Sequence, residues 1–137
     1  MNTYFLRTAL VALFVASAAT VLAAPAMLGH QGLTGQALDS EAVKSVLLGK
    51  KVAIGESRVV IVLAKSGEAQ EAFLKARVGM TTSQFQNHWR RLFMTGGGTA
   101  PKIVENEADA IKLAGETPGG VVIADTATAG ALVVLAN

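Results

Sequence analysis

Four consecutive residues, Ser66 to Ala69, have the types and spacing that could hold an anion. They lie at the predicted start of a helix, where the backbone N–H groups of Gly67, Glu68 and Ala69 would meet at the positive end of the helix dipole. The Ser66 hydroxyl could donate a further hydrogen bond, and Lys65 would add positive charge. In a purely structural interpretation, Ser66 caps the helix, and Glu68 complements the dipole and repels a phosphate. The capping rules favour the structural interpretation, and the anion site is kept as a hypothesis.

Three other features carry weaker chemical signals. The glycine run from Thr95 to Thr99 lacks the spacing and the terminal Lys-Ser/Thr of a nucleotide-binding loop, so it indicates a helix end and a turn.

Catalysis by His88 would need a serine such as Ser66 and a carboxylate beside it, and the sequence has no nucleophile motif. We therefore expect a partly buried, hydrogen-bonded histidine and no enzyme. Asp125 follows a predicted strand, where ligands often bind in open α/β sheets, but an ordinary turn residue is the favoured interpretation.

The composition excludes several classes of site. The sequence contains no cysteine and two histidines, which excludes disulfides, thiolate metal sites and a cysteine nucleophile, and disfavours a histidine-based metal site. Its 12 basic and 10 acidic residues nearly balance, whereas nucleic-acid binders usually concentrate basic residues on one face. We therefore expect no metal, no cofactor and no nucleic-acid partner.

The first 23 residues are typical of a secretory signal peptide. Arg7 precedes an uncharged stretch over residues 8–24, and small residues stand at the two positions that define a cleavage site after Ala23. An uncleaved membrane anchor is the alternative, but the stretch is short for a spanning helix, which needs about 20 apolar residues. We predict a periplasmic protein that meets the membrane only through this signal peptide. Residues 24–38 would form a leader that pairs with the sheet edge or stays loose, and residues 39–137 would form the domain.

The predicted domain contains four helical patterns, each with a start signal. The predicted caps are Asp39 or Ser40, then Ser66, then Thr81 in a capping box with Gln84, and last Asn106; the predicted stops are Gly49, Gly79 and Gly115. The predicted apolar faces are Val43, Val46 and Leu47; Ala69, Ala72, Phe73 and Ala76; Phe85, Trp89, Leu92 and Phe93; and Ala110, Ile111 and Ala114.

Continuous apolar runs between and after these helices predict strands. The runs cover residues 58–63, 120–124 and 131–135. Runs of this length suit strands that are buried on both faces, as in sheets covered by helices. The sequence therefore predicts an α/β protein, with a small mixed or parallel sheet flanked by helices.

Five short stretches follow one another in a specific order across residues 42–125. They are Leu47-Leu48-Gly49-Lys50-Lys51, Glu71-Ala72-Phe73-Leu74-Lys75, Thr82-Ser83-Gln84-Phe85 with Trp89, Phe93-Met94-Thr95-Gly96-Gly97-Gly98-Thr99-Ala100-Pro101, and Thr117-Pro118-Gly119-Gly120-Val121. As an ordered set they resemble the phosphate ABC transporter substrate-binding protein family, and in particular its short members. The resemblance implies an α/β domain like one lobe of a type II periplasmic binding protein.

The resemblance also implies a function, which is the binding of phosphate or a similar oxyanion for ABC-type uptake, with an ABC permease as a partner. Two-lobed family members hold phosphate partly through a Ser-Gly-Thr at a helix start, with an arginine four residues before the serine. Ser66 and Gly67 match the first two positions, whereas Glu68 stands in place of the threonine and Val62 in place of the arginine. The alternative is a ligand-free interaction module that binds a partner or a second copy through an exposed sheet edge.

Overall fold

A computed structural model describes residues 24–96 and 100–137. At the centre of the molecule is a mixed sheet of five strands, in the order β5-β4-β6-β1-β7. The sheet strands are β1 Pro25–Gly29, β4 Val60–Ala64, β5 Lys102–Val104, β6 Gly120–Asp125 and β7 Val133–Ala136, and a separate hairpin pairs β2 Ala53–Ile54 with β3 Ser57–Arg58. The helices are α1 Ser40–Leu47, α2 Glu68–Val78, α3 Thr82–Met94 and α4 Glu107–Glu116. The predicted fold class, a small α/β sheet flanked by helices, is confirmed. The predicted signal peptide, residues 1–23, lies outside the described residues.

Strand β1 occupies an interior position that the sequence analysis did not anticipate. It lies antiparallel between β6 and β7, whereas β4 runs parallel to both β5 and β6. Ala26, Met27 and Leu28 are fully buried, so the predicted leader supplies part of the core. The expectation that this segment stays loose or pairs at the sheet edge was wrong, because a three-residue apolar run between a proline and a glycine gave no periodic signal.

The two faces of the sheet bury different helices. On one face, Ile61, Leu63 and Ile123 pack in a single cluster with apolar side chains of α1, α2 and α3. On the other face, the alternate residues Val62 and Val122 pack against α4. This alternation follows from the two-residue period of a strand, and it explains why the strand runs are continuously apolar.

Three of the four predicted helix starts are confirmed. Asp39 accepts a hydrogen bond from the Ala42 amide at α1, Thr81 and Gln84 form a reciprocal capping box at α3, and Asn106 caps α4. Several predicted boundaries differ slightly: α4 continues past Gly115 to Glu116, β4 spans Val60–Ala64 rather than residues 58–63, and β7 begins at Val133 rather than Ala131. These caps fix the direction in which each helix leaves the sheet.

Two predicted apolar faces required correction. In α2 the buried residues are Gln70, Phe73 and Leu74, while Ala72 and Ala76 are exposed. In α3, Phe85 and Trp89 are buried as predicted, but Phe93 is 60% exposed. Alanine carries too little apolar area to decide which side of a helix faces the core, so the larger Phe73 and Leu74 set the orientation of α2.

Within residues 24–96 and 100–137, no helix is both long and apolar enough to cross a membrane.

Candidate functional site

The first turn of α2 lacks the cap that the sequence predicted for it. The N-cap residue is Gly67 rather than Ser66, and no side chain accepts a hydrogen bond from the first turn. In contrast, α1, α3 and α4 each have a side-chain cap. The first amides of a helix, here those of residues 68–70, have no partner within the helix. The predicted anion-binding residues Ser66, Gly67, Glu68 and Ala69 therefore surround an uncapped helix start, although Ser66 does not cap it.

This helix start lies at the carboxyl end of β4, where the sheet opens. The pairing of β4 with β6 covers Val60 to Val62 and extends no further. Beyond it, the side-chain amide of Gln70 takes the place of a neighbouring strand. Its Oε1 accepts from the Ala64 amide at 3.0 Å and its Nε2 donates to the Ala64 carbonyl at 2.9 Å. Gln70 is 2% exposed, so this clamp holds the loop from Lys65 to Gly67 against the strand that precedes it.

Sequence analysis missed Gln70, although a signal was present. Gln70, Phe73 and Leu74 are spaced as one face of a helix, and a polar side chain within such a face needs a buried hydrogen-bond partner. The partner, the backbone of Ala64, is recognisable only once α2 folds back along β4. We therefore assign to Gln70 the positioning of the candidate site.

A second polar contact joins α2 to α3 next to Gln70, whose Nε2 lies 3.4 Å from the Thr82 hydroxyl. Glu71 accepts hydrogen bonds from the hydroxyl and from the amide of Thr82. These two bonds, with a smaller contribution from Lys75, lower the pKa of the Glu71 carboxyl, while partial desolvation opposes the shift. The Glu71 carboxylate is thereby committed to the α2–α3 connection and does not face the uncapped amides of the first turn.

Side-chain charges near the carboxyl edge of the sheet are mostly negative. Lys65 is the nearest cation in sequence to the uncapped turn, and it forms an ion pair with Glu105 in which both side chains are more than half exposed. Glu68 is exposed within the first turn itself. On the neighbouring helix start, Glu107 accepts from the Asp125 amide at 2.8 Å. The helix dipole attracts an anion to this edge, and the surrounding carboxylates repel it.

The other sequence candidates have structural roles in the described residues. His88 is partly buried, with its Nε2 3.1 Å from the Leu48 carbonyl oxygen, as expected. Asp125 accepts a hydrogen bond from the Ala127 amide and begins a short 3-10 turn, which confirms its interpretation as a turn residue. Of the glycine run, Gly96 follows the end of α3 with a φ of 80°, and residues 97–99 lie outside the described residues. In the described ranges, no three potential ligands among His, Cys, Asp and Glu come together as a metal site.

Comparisons with known proteins place the fold. No family model matches this chain, and no curated protein matches it in sequence. Its structure is similar to the crystal structure of an ABC-type phosphate transport receptor from Vibrio cholerae, with a TM-score of 0.57 and 10% sequence identity. The similarity covers 82% of this chain and 45% of the receptor. The chain therefore has the fold of less than half of a phosphate transport receptor.

Proposed function

We propose that this chain is an exported, non-enzymatic binding domain that holds phosphate or a similar oxyanion at the start of α2, as a component of ABC-type uptake. One observation carries the proposal, namely the uncapped first turn at Ser66–Ala69, at the carboxyl edge of a sheet whose fold is shared with a phosphate transport receptor. Export and a periplasmic location are supported by the signal pattern of residues 1–23.

The geometry of the turn supports an anion more than any other small ligand. Amide N–H groups without partners in the helix lie at its start, and the exposed Ser66 and Lys65 directly precede them in sequence, with the Lys65 ammonium paired to Glu105. The Gln70 clamp fixes the loop, so little ordering entropy is lost when an anion binds. Glu68 and Glu105 oppose binding by charge repulsion. We therefore expect weak binding, and a second chain that contacts the anion from its other side would raise the affinity.

Thermal-shift titration of the purified protein tests this proposal, with phosphate, sulfate and chloride at matched ionic strength. A ligand that binds only the folded state stabilises it by about 2.7 kcal/mol when its concentration is a hundred times its dissociation constant. We expect a shift with phosphate that exceeds the shift with chloride, and we expect Ser66→Ala to reduce it.

A matched pair of variants makes the test specific. Glu68→Gln removes a first-turn charge at the proposed site, and Glu41→Gln removes an exposed first-turn charge at the start of α1. We expect Glu68→Gln to tighten phosphate binding by roughly twofold to fivefold, because a repulsive charge is lost, and Glu41→Gln to leave it unchanged. Equal shifts with all three salts in all variants would contradict an oxyanion site.

Self-association is the second candidate function, and the edge strand β7 favours it, although its Leu135 carbonyl already accepts a hydrogen bond from the Leu38 amide at 2.9 Å. Strand β7 pairs with β1 on one side, and Val134 on it is 49% exposed. An exposed edge with an apolar side chain can add a strand from a second copy. Light scattering after size exclusion tests this function. We expect a dimer that Val134→Lys converts to a monomer, and a monomer at every concentration would count against this function.

A further inference from the structure

The other edge of the sheet, strand β5, exposes backbone groups that can accept an additional strand. Among the described strands, β5 pairs only with β4. The Val104 carbonyl faces β4, since it accepts from the Lys65 amide at 2.9 Å. Because backbone groups alternate in direction along a strand, the N–H and C=O of Ile103 point away from β4. The Ile103 side chain is also 50% exposed.

An apolar groove runs beside this edge, between β5 and the last turns of α3. Its volume is about 200 Å³, and Leu63, Trp89, Phe93, Pro101 and Ile103 line it. Phe93 is 60% exposed in the groove, and the neighbouring Met94 is 80% exposed. Large side chains that cluster at the surface in this way mark interaction sites more often than single exposed ones.

Both faces of the sheet beside β5 carry positive charge. Arg90 lines the groove next to the exposed Arg91, and the exposed Lys102 side chain lies on the opposite face of β5 from Ile103, because side chains alternate along a strand. No acidic residue occurs in the sequence between Glu71 and Glu105. In the described ranges, neither Arg91 nor Lys102 forms an ion pair with a carboxylate. The groove therefore presents apolar area and unneutralised positive charge beside a free strand edge.

We propose that the α3–β5 groove binds an extended acidic segment of another protein, which adds to β5 as a strand. The edge would supply backbone hydrogen bonds through Ile103, and the groove would take alternate apolar side chains. The intervening carboxylates would point to the opposite face of β5, where the exposed Lys102 side chain could pair with them. A second copy of this chain is disfavoured as the occupant, because pairing β5 with β5 would bring two sets of Arg90, Arg91 and Lys102 together.

The test uses a fluorescein-labelled hexapeptide of alternating valine and glutamate, with a valine–lysine hexapeptide as its control, in a polarisation titration. We expect saturable binding of the acidic peptide that weakens as salt increases, and we expect at least fivefold weaker binding of the basic peptide. Methylation of alternate peptide nitrogens, in the register that faces β5, should abolish binding.

Two variant pairs separate the backbone and charge contributions. Ile103→Pro removes the outward N–H from an edge position, where proline is tolerated, and Ile103→Ala removes only the side chain beyond Cβ. Circular dichroism confirms that each variant is folded, and we expect Ile103→Pro to bind roughly threefold to tenfold more weakly than Ile103→Ala. Lys102→Glu should weaken binding by a similar factor, whereas Lys112→Glu on α4 should not change it.

Several results would overturn the proposal. They are equal binding of the two peptides, equal binding by the two Ile103 variants, and a dimer that Ile103→Pro dissociates. Binding by residues 24–137 that is lost in the full chain would show that residues 1–23 occupy the groove, and it would also refute an external partner.

Discussion

Gln70 offers the sharpest test of how the fold positions the candidate site, because a single side chain joins α2 to the end of β4. Its amide satisfies both the N–H and the C=O of Ala64, at the point where β6 no longer pairs with β4. Gln70→Leu keeps the approximate size of the side chain and removes both of these hydrogen bonds, together with the longer one of 3.4 Å from Gln70 Nε2 to the Thr82 hydroxyl. The variant therefore leaves two buried backbone groups without partners.

The expected cost follows from those two groups. A buried donor or acceptor that loses its partner costs about 1–3 kcal/mol, so the pair should cost about 2–6 kcal/mol of the free energy of unfolding. Single domains are stable by only about 5–15 kcal/mol. The loss should therefore be evident in urea, and it should come with faster hydrogen exchange at the Ala64 amide.

Equilibrium urea unfolding, followed by circular dichroism, measures this effect. Gln36→Leu is the matched control, because Gln36 is exposed and surface substitutions change stability by about 0.5 kcal/mol or less. An unchanged slope with denaturant would show that the unfolded state is not altered. A loss below about 1 kcal/mol for Gln70→Leu would refute the clamp, since water would then have replaced the amide at little cost.

Three further predictions follow from local features. Because the pKa of Glu71 is lowered in the folded state, its bonds to Thr82 stabilise the fold at neutral pH, and this stabilisation is lost as the pH falls. Thr82→Val should therefore be less stable than wild type at pH 7. In acid titrations from about pH 6 to pH 3, the variant should lose less stability than wild type does. Gly119→Ala should lower the free energy of unfolding, measured in urea, by about 2–4 kcal/mol, because φ is +76° and the new Cβ would lie 2.0 Å from a β3 carbonyl oxygen. Gly130→Ala is the control and should lower it less, because Gly130 also has a positive φ but nothing beyond its chain neighbours lies within 4 Å of the new Cβ. Deletion of residues 24–38 should abolish cooperative thermal unfolding, because β1 is an interior strand, and a folded truncated chain would contradict that role.

Local sequence signals predicted most of the fold because local chemistry determines most element starts. The Thr81–Gln84 capping box and the Asp39 and Asn106 caps are each formed within three residues of sequence, so no tertiary information was needed. The β-branched runs that became β4 and β6 were recognised for the same reason. Their continuous apolar character required cover on both faces, and this requirement led to the correct fold class.

The features that could not be predicted depend on contacts between distant elements. Ser66 fits a cap by type, but helix α2 begins one residue later, at an N-cap without a side chain. Gln70 could satisfy Ala64 only after α2 had packed along β4, and β1 could become an interior strand only after β6 and β7 had both formed. In each case tertiary packing, rather than local preference, decides the outcome. The candidate site lies where these tertiary contacts meet, so its residue types were predicted and its geometry was not.

The two proposed sites differ in the charges that surround them. Near the start of α2, the exposed Glu68 and the paired Glu105 oppose an anion that the helix dipole attracts, so added salt screens repulsion as well as attraction. At the β5 edge, Arg90 in the groove and Lys102 on the opposite face of the strand attract an acidic segment, and no acidic residue occurs in the sequence between Glu71 and Glu105, so added salt chiefly screens attraction. Phosphate affinity should therefore change little with ionic strength, whereas peptide affinity should fall steadily.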